Sequence, residues 1–224
     1  MDLIDLLDQL PGSGTFIVLT VVFGLGPITI IIMTSFLKML VVMKIVRNAT
    51  GLQDIPPNMA LSAIALILSF YVMAPVAYDI ADIMARPGVD INKVTNPETA
   101  QALADSVEPF RKFLDKHSNR RQRLFFASAA RTMWADDRKV EITENDMLVL
   151  VPAFITTQLG SAFETGFLIY LPFLAIDLIV SNVLLALGMM MVSPMVVSLP
   201  FKLLLFVLAD GWTRLLHGLV LSYY

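Results

Sequence analysis

An all-α membrane protein built of helical hairpins is the fold this sequence predicts, and three observations carry that expectation. The 224 residues are 57% hydrophobic and only 16% charged, with a mean hydropathy of +0.74, where soluble domains are about half apolar and a quarter charged. Long runs at 9–37, 55–78 and 178–201 contain no charged residue at all. Charge of both signs collects instead in one middle stretch, 79–150. The predicted organisation is an apolar helical hairpin over 1–78, a polar helical domain inserted over 79–151, and a second apolar hairpin over 152–224.

The same inventory excludes several kinds of chemistry. A net charge of -3 gives no electrostatic footprint for nucleic acid. With no cysteine there is no disulfide, thiol nucleophile or cysteine-held metal. The two histidines, His117 and His217, stand far apart without ligand-like spacing, so no metal site and no cofactor is expected. No nucleophile–base constellation stands out, and the chain does not read as an enzyme.

The N-terminus carries Asp2, Asp5 and Asp8 where a secretory signal would be basic, and no small-residue cleavage pattern follows. The first apolar segment is therefore expected to be retained. Residues 15–36 supply the roughly 20 apolar residues that cross a bilayer, with a kink expected at Pro27. Lys38, Lys44 and Arg47 follow, then Asn48, Gly51 and Pro56-Pro57, which read as a turn into the second run, 55–78. A short basic connection belongs on the cytoplasmic side. The acidic N-terminus and the polar domain would then face away from the cytoplasm.

Within the polar segment, Asn96-Pro97-Glu98 marks a helix start. Ala100, Leu103, Val107, Phe110 and Leu114 then recur at helical spacing, interrupted by Pro109, which should split or bend the helix. A second helix is expected over 119–135, with Leu124, Phe125, Ala129, Met133 and Trp134 as its apolar residues. Arg120, Arg121 and Arg123, like Asp136-Asp137, read as solvated faces. Thr143 and Asp146 resemble a capping arrangement before Leu148. The C-terminal hairpin is expected as one helix over 156–187, kinked near Pro172, and another over 200–221.

The turn of that hairpin is the unusual feature. A loop between membrane helices normally carries polar residues where it meets water. Here it reads Gly188-Met189-Met190-Met191-Val192-Ser193-Pro194, with Met195 and Pro200 beyond, and the nearest flanking charges are Asp177 and Lys202. Irregular backbone facing lipid would leave polar groups unsatisfied at several kcal/mol each, so this turn must be buried in protein or line a cavity. Methionine is unbranched and fits varying shapes. Three of them beside Gly188, Pro194 and Pro200 can project together, and several copies about an axis would make a soft apolar ring of the kind that closes pores. The plainer reading is that the methionines fill a core.

Glu164, Asp177, Lys202, Asp210 and Arg214 interrupt otherwise apolar helices, where a mid-bilayer charge costs at least about 2.5 kcal/mol. Asp177 and Lys202 flank the turn and can pair across the hairpin. Three uses are open for these charges: ion pairs within the hairpin or between subunits of a gate, snorkelling to the interface, or, in a proton- or ion-coupled transporter, relay carboxylates at Glu164 and Asp177.

Several strings resemble one family. They are Pro152-Ala153-Phe154, Ala162-Phe163-Glu164-Thr165-Gly166-Phe167, Leu171-Pro172-Phe173, Ile176-Asp177-Leu178, the methionine turn itself, and Leu199-Pro200-Phe201-Lys202 through Ala209-Asp210-Gly211-Trp212. Met33-Thr34-Ser35-Phe36, Val46-Arg47-Asn48-Ala49 and Pro56-Pro57-Asn58 agree in the first half. Together they resemble the export-gate membrane proteins of bacterial type III secretion systems and flagella, known as SctR, YscR or FliP, over nearly all the chain but the polar domain. The sequence departs after Phe154, where the family usually has a Ser-Glu-Leu-Lys-like run and this chain has Thr157-Gln158-Leu159-Gly160. Ion pairs at those two positions cannot be carried over. The absence of a signal peptide resembles the injectisome branch more than the flagellar one.

The resemblance implies a core export-gate subunit of the inner membrane, with residues 79–151 in the periplasm. It implies a homopentamer that joins SctS-like and SctT-like proteins and a SctU-like subunit of the export apparatus. Unfolded secreted proteins would pass through the entrance pore so formed, with Met189, Met190 and Met191 as the gasket of the closed pore. It also implies an assembled gate that sits largely above the bilayer plane.

Overall fold

The computed structural model describes residues 31–52, 54–89, 97–134 and 142–224. The described residues form helices and no strand: α1 (Phe36–Ala49), α2 (Asn58–Met84), α3 (Pro97–Asp105), α4 (Val107–Lys116), α5 (Arg120–Trp134), α6 (Met147–Ala186), α7 (Pro194–Leu208) and α8 (Gly211–Leu221). The expected kink at Pro27, the cap at Asn96 and the Asp136-Asp137 pair lie outside the described residues. The chain divides into two compact units. Among the described residues, one takes 31–34 and 73–155, and the other takes 35–72 and 156–224.

In the second unit, α1 buries Met39, Val42, Met43 and Val46, the i, i+3, i+4, i+7 face of a helix, without exposed surface. The basic residues expected in the connection belong to this helix instead. Lys38 is buried and donates to Ser222 Oγ at 2.9 Å. Arg47 is buried at the other end, where its Nη1 donates to the Pro56 carbonyl and to Asn58 Oδ1. The turn is therefore residues 50–57, and Arg47 folds it back by satisfying the backbone that would otherwise be orphaned there. Gly166 of α6 lies against Ile45, where an added Cβ would meet the Ile45 side chain at 2.6 Å.

Among the described residues, two helices are long and apolar enough to cross a membrane, α2 with 27 residues and α6 with 40. α2 runs on through Asp79 and Asp82, and through Pro75, whose missing N–H leaves the Tyr71 carbonyl without its helical donor. α6 is unbroken through Pro152 and Pro172 and starts at Met147, earlier than expected. At 1.5 Å per residue it is about 60 Å long, twice the roughly 30 Å of a bilayer core.

In the first unit, the break between α3 and α4 falls at Ser106 rather than Pro109. Ser106 Oγ donates to the Ala102 carbonyl, and Pro109 sits in the first turn of α4, where a missing N–H costs nothing. A period read across that break does not describe one helix. Thr99, Ala102, Phe113 and Leu114 are buried, while Leu103 and Val107 are exposed. Asn119 Oδ1 accepts the Arg121 N–H and opens α5.

The core face of α5 is Ala127 and Ala130 against Ile142 and Val149, whereas Leu124, Phe125 and Met133 point outward. Arg123 is not free in solvent as expected but pairs with Asp115, and Arg131 donates twice to the Ile142 carbonyl. Asp146 Oδ2 accepts the Thr143 N–H at 2.7 Å, the backward half of a capping box, and α6 begins at the next residue.

The last helix is broken where one helix was expected. α7 and α8 meet at 59° across Ala209-Asp210, with Asp210 in the left-handed region at φ 51°. The break is filled rather than hollow. Phe206 packs on Phe173 and edge-on to Trp212, and a Cβ on Gly211 would lie 2.3 Å from the Phe206 ring.

Candidate functional site: the methionine hairpin

The hairpin of α6 and α7 ends in a turn whose shape is set by backbone hydrogen bonds. The Met189 N–H donates to the Leu184 carbonyl at 2.9 Å, and the Gly188 N–H to Leu185 at 3.0 Å. This crossed pair, with a left-handed residue just past the helix end, is the Schellman motif. Gly188 occupies the left-handed position at φ 72°, where a side chain would be strained. The motif satisfies the last carbonyls of α6 and turns the chain sharply outward. Ser193 is extended, and Pro194 opens α7 at its first position.

The three methionines that leave this turn are exposed: Met189 44%, Met190 83% and Met191 fully. The core-filling reading of them fails within one chain. Of the three residues expected at the turn, Gly188 is in it, Pro194 borders it, and Pro200 lies inside α7. There its missing N–H leaves the Val196 carbonyl free.

Below the tip, the hairpin is pinned by a polar cluster. Lys202 Nζ lies 2.6 Å from Asp177 Oδ2, and Ser198 Oγ donates to Asp177 Oδ1 at 2.6 Å. The Lys202 side chain is 5% exposed and Ser198 is fully buried, while the Asp177 side chain keeps 32%. A charge-assisted pair with a second donor is the condition under which a charge can be held in apolar surroundings. Ser198 was not anticipated from sequence. It lies four residues before Lys202 on the same helix face, and that spacing was the available signal.

The remaining charges are placed differently. Glu164, Asp210 and Arg214 are exposed and make no ion pair among the described residues. Asp210 contributes its backbone conformation to the α7–α8 break and no side-chain cap. Gln158 is buried and accepts the Tyr223 hydroxyl at 2.7 Å. Between α6 and α7 an apolar groove of about 380 Å³ is lined by Ile176, Ile179, Val183, Val197 and Phe201 among others.

Comparison with known proteins places this hairpin in context. The FliP family matches residues 18–219. The chain is 47% identical over 216 residues to Yop proteins translocation protein R of Yersinia pestis, covering 96% of this chain and 98% of that protein. It is 45% identical to the hypersensitivity response secretion protein HrcR of Ralstonia nicotianae, covering 94% and 97%. It is 46% identical over 198 residues to the virulence protein YscR of Salmonella typhimurium, covering 88% and 90%. The family match takes in all but the last few described residues, and the chain belongs to the FliP family.

Proposed function

We propose that this chain is a core export-gate subunit of a type III secretion apparatus, forming with further copies the entrance pore for unfolded substrate proteins. Its relatives are named for protein translocation and secretion, which supports a place in such an apparatus. The observation that carries the pore reading is the exposure of Met189, Met190 and Met191 at a charge-free tip. Apolar side chains held out by a rigid turn need a partner surface. Copies of the same tip around an axis provide one that closes when empty and yields when a chain passes.

The partners in this reading are further copies in a homopentamer, SctS-like and SctT-like proteins and a SctU-like subunit. Residues 79–151 face the periplasm, and the hairpins belong to the inner membrane. The length of α6 supports a gate partly outside the bilayer, since about 60 Å of helix needs protein cover beyond a core of about 30 Å. A relay carboxylate at Asp177 is disfavoured by its tie to Lys202 and Ser198.

The test is ion conductance across membranes holding the assembled gate. Replacing Met189, Met190 and Met191 with alanine removes the soft side chains and leaves the turn, and is expected to leak ions while the native gate stays closed. A triple variant as tight as the native protein overturns the gasket.

A further inference from the structure

Most glycines among the described residues have a reason within the chain. Gly51, Gly88 and Gly188 take positive φ, and Gly166 and Gly211 are pressed against Ile45 and Phe206. Gly160 of α6 and Gly218 of α8 have none. Gly160 lies well inside α6 and Gly218 opens the last turn of α8, and a Cβ at either would meet open space. Glycine there costs about 1 kcal/mol of helix stability relative to alanine, so its use needs a second surface that comes close.

Each of these glycines stands one helical turn from an unpaired charge. Glu164 follows Gly160 by four residues on an exposed stripe with Phe163, Phe167 and Leu168. Arg214 precedes Gly218 by four on an exposed stripe with His217 and Leu221, while Leu215 and Leu219 face the chain's own interior. The charges are opposite, and the order of glycine and charge is reversed between the helices. Set antiparallel, Gly160 meets Gly218 and Glu164 meets Arg214 in a single register. Parallel packing matches only one of the two.

We propose that α6 of one copy docks antiparallel on α8 of a second copy, with Gly160 against Gly218 and a Glu164–Arg214 ion pair between them. The occupant is this chain itself, because it carries both halves of a complementary pair. Such a contact joins two different surfaces, so each copy has one half left over and the assembly grows until it closes. This rests on the gate reading only in requiring more than one copy.

The chain has no native cysteine, so engineered pairs report directly. Differently tagged full-length copies carrying Gly160→Cys and Gly218→Cys are co-expressed and oxidised mildly in membranes. A disulfide-linked pair of unlike tags is expected, absent with either variant alone. No cross-link, or a stronger one between Gly160→Cys and Asp210→Cys as parallel packing requires, overturns the proposal.

A second measurement leaves the glycines alone. Glu164→Arg and Arg214→Glu should each lower co-purification of unlike tags about tenfold, equivalent to about 1.4 kcal/mol, and the double variant should restore it. Rescue of Arg214→Glu by Asp210→Arg instead places the pair within α8 and sinks the idea. Met190→Cys copies separate the two readings. Tip cross-links without Gly160–Gly218 cross-links leave the gasket standing and this interface refuted, and the reverse pattern does the opposite.

Discussion

The tip and the stem of the C-terminal hairpin solve opposite problems within one pair of helices. At the tip, three apolar side chains are turned out of the chain, and the only fixed element is the backbone, held by two crossed hydrogen bonds around Gly188. In the stem, the side chains are fixed and charged, with Asp177, Ser198 and Lys202 bound to one another in apolar surroundings. The difference teaches where rigidity is useful in this molecule. In the proposed gate, a tip that deforms would stand on a base that does not, with the fixed contacts below the turn and the soft side chains at its end.

The largest effect that would break this contrast lies in the stem. Asp177→Asn leaves Lys202 buried without a counter-charge, and loss of one partner of a buried pair costs about 3–5 kcal/mol. We expect Asp177→Asn or Lys202→Met alone to lower the unfolding midpoint of the detergent-solubilised protein strongly. The double variant Asp177→Leu with Lys202→Met should regain most of it, since a well-packed apolar pair often replaces an ionic one without loss. If the single variants unfold like the native chain, the stem is not the anchor.

Next in size is the break between α7 and α8. Gly211→Ala puts a methyl 2.3 Å from the Phe206 ring, and overpacking of this kind costs about 1–3 kcal/mol. Phe206→Leu in the same chain should return part of the loss, which distinguishes the clash from a simple helix effect. At the tip, Gly188→Ala meets no atom but must adopt φ 72°, at about 1–2 kcal/mol. Gly188→Asn should cost less, because asparagine tolerates the left-handed region. Equal midpoints for the two variants would mean that the turn relaxes rather than holds its shape. Thermal unfolding followed by tryptophan fluorescence reads both positions, with Trp212 beside Phe206 as the nearer reporter.

Much of this was readable from the residues, and the misses have physical causes. Hydropathy located α2 and α6 and the turn, because apolar runs of that length have few alternatives. The Asp177–Lys202 pair was legible because only two charges flank the tip. Helix ends were less so. Lys38, Lys44 and Arg47 read as a connection because charges normally end a membrane helix. Tertiary partners at Ser222, Pro56 and Asn58 hold Lys38 and Arg47 inside or at the end of α1 instead. Pro109 read as a breaker because the position of a proline within a helix is invisible until the start of that helix is known. Asp210 broke α7 from α8 without any proline, through a left-handed conformation that the Asp-Gly step signals but that the apolar run on either side of it outweighed in the reading. The outward faces of α3 and α5 misled the period count because Leu103, Leu124 and Phe125 are apolar and exposed, which is what a surface awaiting partners presents.

The smallest expected effect on stability is the one that decides what the tip is for. Met190 and Met191 bury almost nothing in their own chain, so little apolar area is lost when they become alanine. Exposed substitutions of this kind stay within about 0.5 kcal/mol, so the isolated subunit carrying Met190→Ala and Met191→Ala should unfold with the native protein. Methionines that serve the fold would give the reverse: a lowered midpoint in the single chain and no separate defect once assembled. A variant that is stable alone and leaks in the gate assigns Met190 and Met191 to the assembly, and it does so without reference to how many copies the assembly holds. A variant already destabilised as a single chain would instead return them to the core, and the contrast between a soft tip and a rigid stem would dissolve.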